Sequence, residues 1–199
     1  MTIVNGILTI MDKIRIKNII ISKQGETSGN YTEFIELVKR HKINFIIVQA
    51  GDKIKIDKTS YFEILWPMQE QVRENILNNN SIVAKFTYRD ISLLFTGDIE
   101  EIAERKIVQM YESKLKADII KVAHHGSKTS SIEQFVEKVQ PKVALIGVGE
   151  NNNFGHPGQD IIKRFENIKC NIFRTDKMGE ITLKINSKGK VKIKTKTDV

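Results

Sequence analysis

Leu94-Phe95-Thr96-Gly97-Asp98 is an apolar run that ends abruptly in a small residue and a carboxylate. It reads as a buried strand over residues 91–96 whose end aims Asp98 outward, because glycine permits a sharp turn that a Cβ would resist. Two later stretches repeat the pattern. Residues 118–123 form an apolar run that leads into His124-His125-Gly126-Ser127, and a strand over 143–147 precedes a loop holding Gly155-His156-Pro157. Helical segments separate them. One spans 99–112, with acidic residues in its first turn where the helix dipole favours them; one spans 131–139, with Ser130 or Ser131 as cap and Glu133 placed for a capping box; one spans 158–168. Strands alternating with helices predict a layered α/β fold, and open α/β sheets place their sites in the crevices at strand ends.

Upstream, Ile3, Ile7, Ile10, Met11 and Ile14 are spaced for a helix over 2–13. Ile19-Ile20-Ile21 predicts a buried strand over 18–22, and Phe45-Ile46-Ile47-Val48 another over 44–49, with an amphipathic helix over 32–41 capped by Thr32. Strands are expected at 53–56 and at 61–66, the second ended by Pro67, which has no N–H to give a ladder. A polar loop with a helical turn covers 68–80, and 81–88 pairs with 91–96 as a hairpin around Arg89-Asp90. Strands at 172–174, 180–185 and 191–194 finish the chain, with the last turn at Lys188-Gly189. The expectation is one α/β domain (an α+β sandwich) over residues 1–199.

Composition removes several classes. With 40% hydrophobic and 28% charged residues, the 199-residue chain is globular rather than disordered. No apolar run reaches the ~18 residues that a bilayer-spanning helix needs, so the chain as given is expected to be soluble. The single cysteine, Cys170, rules out an internal disulfide and a multi-thiolate metal site, and reads as a small apolar residue before a strand. The net charge of +8 suits a phosphate-rich partner such as DNA, although Lys184, Lys188, Lys190, Lys192, Lys194 and Lys196 also fit the solvated face of a terminal hairpin.

The chemistry-bearing candidates sit in the three strand-end loops. Asp98 either serves a site or caps the helix beginning at Ile99, which Asp does well. Adjacent imidazoles directly after a buried strand are uncommon. One of His124 and His125 can ligate a metal while its second ring nitrogen is oriented by an acceptor, and the other can contact substrate or act as an acid. His156 either joins them or caps the next helix. Ser127 is a nucleophile candidate without a G-x-S-x-G elbow or a His-Asp order to support it. One Asp and three His form a reasonable ligand set for zinc or manganese. Asn78-Asn79-Asn80-Ser81 and Asn151-Asn152-Asn153 are loop material able to offer amide contacts, and His41 suits the end of a helix.

The order Asn79-Asn80-Ser81, Phe95-Thr96-Gly97-Asp98, Ala117 through Ser127, Gly155-His156-Pro157, then Arg174-Thr175-Asp176 with Gly179, resembles the metallo-β-lactamase-like domain of ComEC-type DNA-internalisation (competence) proteins, over residues 1–195. The resemblance implies a four-layer αββα fold, of which this chain would form part, with a metal site between two sheets. It implies a hydrolase, by analogy a nuclease acting on the DNA strand that is not imported. It matches Asp98 and His124 to metal ligands, and His125, Ser127 and His156 to residues beside the reacting centre. The family's H-x-H-x-D-H cluster is absent from these 199 residues. The expectation is therefore a partial site, weakly active or inactive in this chain, with a divalent metal, zinc or manganese, as cofactor.

Three readings stay open. The chain is a hydrolase domain completed by an N-terminal part, a non-catalytic relic that binds DNA or a protein partner, or a hydrolase of another substrate on the same scaffold, since fold does not fix substrate. A homodimer that covers exposed strand edges is a further expectation. Location follows as cytoplasmic, or the extracytoplasmic face of a membrane if the chain is part of a full-length competence protein.

Overall fold

The computed structural model describes residues 10, 11, 13–23 and 29–197. The helix expected over 2–13 lies outside the described residues apart from Ile10, Met11 and Lys13. The chain divides into two compact units, residues 1–48 and 49–199.

In the first unit, β1 (Asn18–Ser22) lies parallel to β2 (Asn44–Val48), joined through α1 (Gly29–Arg40). Helix α1 starts three residues before Thr32, so Thr32 is an internal helical residue rather than the cap. Phe34, Leu37 and Val38 from one helical face pack with Met11 and Ile43, and Phe34 meets the Phe45 ring edge-on at 5.9 Å. The sequence predicts both strands to be buried, and they are not. Ile20, Phe45, Ile46 and Ile47 are exposed, Ile47 to 60%. A run of β-branched residues signals a strand that wants cover, but here two strands and one helix supply little of it.

The second unit is built on a seven-stranded sheet in the order β3 (Lys53–Lys55), β4 (Ser60–Trp66), β5 (Val83–Tyr88), β6 (Ile91–Phe95), β7 (Ile119–Lys121), β8 (Val143–Ile146), β9 (Asn171–Arg174). Neighbours from β3 to β6 are antiparallel and those from β6 to β9 are parallel. The parallel half follows from its connections: α3 (Glu101–Tyr111), α4 (Glu133–Val139) and α5 (Gln159–Asn167) each carry the chain back to the start of the next strand. Between β4 and β5 lies the short α2 (Ile76–Asn79); a single turn, α6 (Thr175–Met178), follows β9; the antiparallel hairpin β10 (Ile181–Ile185) and β11 (Val191–Thr195) ends the chain.

Register decides the core. Leu94, Ile120 and Ala144 are in line across β6, β7 and β8, and pack with Ala103 and Ile107 of α3, Phe135 and Val139 of α4, and Ile161 and Phe165 of α5. The opposite face carries Phe62, Phe86 and Phe95, with centroids at 4.9 and 6.1 Å, and places Lys121 beside Phe95. Cys170 is buried before β9, where burial pushes its thiol up to about 12.

Several element ends differ from the sequence expectation. Helix α3 starts at Glu101 with Glu100 as its cap residue, so Ile99 is core and Asp98 does not cap a helix. Helix α4 starts at Glu133, and neither Ser130 nor Ser131 caps it through a side chain. Instead Glu104, fully buried on α3, accepts the N–H groups of Ser131 at 2.6 Å and Ile132 at 2.8 Å. Strand β7 stops at Lys121, and 123–126 is a tight turn rather than strand.

Candidate active site

Because β6 to β9 are parallel, the loops after them emerge at one sheet edge, and the motifs legible in the sequence become packing partners there. The His124 N–H donates to the Gly97 carbonyl at 3.1 Å, the Thr96 hydroxyl to the Lys121 carbonyl at 2.6 Å, and the Gly158 N–H to the Gly126 carbonyl at 2.9 Å. Two glycines are required by contact as well as by their positive φ. A Cβ on Gly97 would sit 2.7 Å from Ser81 Cβ, and a Cβ on Gly126 would meet Pro157 Cβ at 2.5 Å. Hence Asn-Asn-Ser, Thr-Gly-Asp, His-His-Gly and Gly-His-Pro occur together: each holds the next in place.

The asparagines are staples. Asn80, fully buried, accepts the Val72 N–H and donates to the Val72 and Ile76 carbonyls, which fixes the 67–80 loop. Asn79 accepts the Glu100 N–H at 3.1 Å, and its carbonyl receives the Trp66 indole N–H at 2.6 Å. Their contacts are within the protein.

His124 and His125 both adopt left-handed backbone conformations (φ 46, ψ 41 and φ 55, ψ 21), followed by Gly126 at φ 80. Each non-glycine residue held this way costs roughly 1–2 kcal/mol. The turn sends the two rings to different carboxylates of one loop. His125 Nδ1 meets the Gly147 carbonyl at 2.5 Å, which fixes Nδ1 as the protonated nitrogen and leaves Nε2 facing Asp98 Oδ1 at 3.9 Å. His124 Nδ1 is buried without a well-formed hydrogen bond, and Glu100 Oε1 lies 3.4 Å from it. His156 completes the group. Its ring centroid is 5.8 Å from that of His124, and Asn152 brackets its backbone, accepting its N–H at 2.9 Å and donating to its carbonyl at 2.8 Å. Burial, then the neighbouring His124 and His125, lower the His156 basicity below the usual imidazole range.

Glu100 is the residue that sequence reading misses, because it resembles any acidic residue in a helical first turn. Its carboxylate instead accepts from Thr129 Oγ1 at 2.9 Å and Asn75 Nδ2 at 2.6 Å while facing His124. The available signal is a second carboxylate two residues after Asp98. Lys121 is a second omission. Its Nζ donates to the Val122 carbonyl at 3.0 Å; burial lowers its pKa, and Asp98 opposes that shift. Ser127 stands apart from the histidine cluster: its hydroxyl pairs with Thr129 Oγ1 at 3.0 Å and accepts the Thr129 N–H. Thr175 ties the loop after β8 to that after β9 through the Val148 N–H and carbonyl, both at 2.7 Å, and Arg174 grips Asp176 with two bonds.

Among the described residues, no three His, Cys, Asp or Glu side chains converge closely enough to hold a metal ion. Asp98, His124, His125 and His156 share one crevice, but the four side chains do not close around an ion. Beside the histidines lies a cavity of about 350 Å³, lined among others by Gly147, Val148, Phe154 and His156.

No protein-family profile matches the chain. In fold it is similar to a variant of the CmlA β-hydroxylase, with a TM-score of 0.52 and 10% identity, covering 84% of this chain and 39% of that one. In sequence it is 30% identical over 167 residues to ComE operon protein 3 of Bacillus subtilis, 84% of this chain and 21% of that protein. It is 32% identical over 121 residues to competence protein ComA of Neisseria gonorrhoeae, 60% of this chain and 17% of that protein. The mixed sheet, its flanking helices and its strand-end crevice define an α/β fold similar to part of that hydroxylase. Within that class the chain corresponds to a segment of ComEC-type competence proteins, of whose length it spans about a fifth. No helix among the described residues is long and apolar enough to cross a membrane.

Proposed function

We propose that the strand-end crevice is part of a site that hydrolyses phosphodiester bonds of a DNA strand, and that this chain by itself does so slowly. The observation that supports it is that the left-handed turn brings two adjacent histidines to the carboxylates of one loop, His125 Nε2 at 3.9 Å from Asp98 and His124 Nδ1 at 3.4 Å from Glu100. Imidazoles and carboxylates gathered in one crevice are the groups that move a proton to or from a reacting oxygen. Lys121 adds a cation near Asp98, and phosphoryl transfer relies on positioned charge more than on covalent chemistry. A divalent metal, zinc or manganese, belongs to this reading only with ligands beyond those the crevice brings together.

The test is hydrolysis of end-labelled single-stranded DNA by the purified chain, with and without added zinc or manganese. Slow turnover is expected, falling roughly a hundredfold or more in both Asp98→Ala and His124→Ala, the scale of a lost acid–base group. Equal rates in all three proteins would assign the cleavage to a contaminant and sink the reading. Fast turnover would sink the claim of a partial site.

A non-catalytic, DNA-binding reading is favoured by one observation. Lys184 stands directly opposite Lys192 in the terminal hairpin, and Lys194 shares their face. Like charges directly opposed across a ladder are destabilising, so a lysine row calls for an anionic partner. DNA binding that falls steeply with salt, with no cleavage under any condition, is the result that selects this second reading.

A further inference from the structure

Phe154 is 79% exposed, more than any other large hydrophobic residue among those described. Single exposed apolar side chains are common on protein surfaces. This one is held in place. Asn152 brackets the backbone two residues on, Gly155 turns at φ +67, and the Phe154 ring stacks on His156 with centroids 5.7 Å apart and planes 21° from parallel. The stack borders the cavity beside the histidines, whose walls at Gly147 and Gly149 carry no side chains. A Cβ at Gly149 would meet nothing within 4 Å.

We infer that Phe154, backed by His156, is a stacking platform for one unpaired nucleobase, and that the cavity seats this base with its phosphate towards Lys121. This rests on the nucleic-acid reading above and names how the strand is held. The shape asks for a planar ring: one exposed aromatic face, and open walls at the glycines. The lining carries no acidic or basic side chain other than the two histidines, so the cavity does not recognise a charged group itself. The charge of the ligand falls outside, where Lys121 lies close to Gly147: a Cβ there would sit 3.4 Å from Lys121 Cε. A base in the cavity with its phosphate towards Lys121 satisfies both ends. Stacking of this kind tolerates every base, which suits a site that acts along a strand without choosing sequence.

The experiment is fluorescence anisotropy on the whole chain at low salt without divalent metal, using a labelled oligothymidylate and an abasic oligonucleotide of equal length. Wild type should prefer the oligothymidylate. Phe154→Ala should weaken it roughly ten- to a hundredfold while leaving abasic binding unchanged, and Phe154→Trp should retain it. Circular dichroism melts of both variants confirm folding. If Phe154→Ala weakens both probes equally, or neither, or if wild type does not prefer bases, the inference is overturned. Since the assay needs no turnover, the two ideas fail separately. Base-dependent binding without Asp98-dependent cleavage sinks the hydrolase reading alone, and cleavage without base-dependent binding sinks this one.

Discussion

Glu104→Gln isolates one buried carboxylate whose ionisation is coupled to folding. Burial, opposed by the Ile132 and Ser131 N–H groups and by Arg164, pushes Glu104 up from 4.5 to about 7. Arg164 does not pair with it directly; its Nη1 donates to the Ser131 carbonyl at 2.8 Å and the Ser130 carbonyl at 3.3 Å. A group with a raised folded pKa holds more protons folded than unfolded. Its contribution is therefore fully present below about 4.5 and is lost as pH rises through about 7. Between pH 5 and pH 8 wild type should lose roughly 2–3 kcal/mol from this group alone. Glutamine keeps the shape and cannot ionise. Urea melts of both proteins at pH 5, 6, 7 and 8 give the difference in stability, from which groups common to both cancel, His156 among them. The wild-type advantage over Glu104→Gln should shrink steadily across this range and be smallest at pH 8. A difference that stays flat would refute the reasoning, and one that grows with pH would show that the two N–H donors outweigh burial.

Gly126→Ala should destabilise by roughly 2–5 kcal/mol in urea melts, combining left-handed strain with collision against Pro157; a loss below about 1 kcal/mol would mean that the two loops are not locked together. At His125, glycine should be more stable than alanine by about 1 kcal/mol, the reverse of their usual order, because both lose the Gly147 contact and only glycine sheds the positive-φ strain. Thermal melts in which alanine equals or exceeds glycine would show that the turn is unstrained. Replacing Lys184, Lys192 and Lys194 together by Ser should lower the slope of log affinity for single-stranded DNA against log salt by about 2, at ~0.7 per phosphate contact. An unchanged slope would place the DNA elsewhere.

The strand-end pattern is legible because it is local: an apolar run followed by Gly-Asp, His-His-Gly or Gly-His-Pro says where a strand stops, and alternation with helices says that the ends share an edge. What the sequence does not show is the competition for each polar group. Asp98 is as good a helix cap as a site residue until the helix is seen to begin at Glu101. Glu100 and Glu104 lie in or beside an amphipathic helix and read as surface acids, yet one faces His124 and the other anchors the start of α4 from within the core. The exposure of β1 and β2 is hidden for a related reason. Hydrophobicity reports the need for cover, not its presence.

The left-handed turn explains why two adjacent histidines can serve one crevice. Along a strand successive side chains alternate between faces. Ile120 joins the helix-side core, Lys121 the opposite face, and Val122 and Ala123 are buried again. Continuing the strand would have sent one of His124 and His125 into that core, where an unpaired imidazole is costly. Ending β7 at Lys121 and passing through positive φ brings both rings to the loop that holds Asp98 and Glu100. Gly126 then releases the chain towards α4 in a space too narrow for a side chain, because Pro157 of the His156 loop fills it. The strain thus lies where geometry needs two neighbouring rings on one side. It is sustained by contacts from the two neighbouring loops at the same sheet edge: the Gly97 carbonyl after β6, and the Gly147 carbonyl and Pro157 after β8.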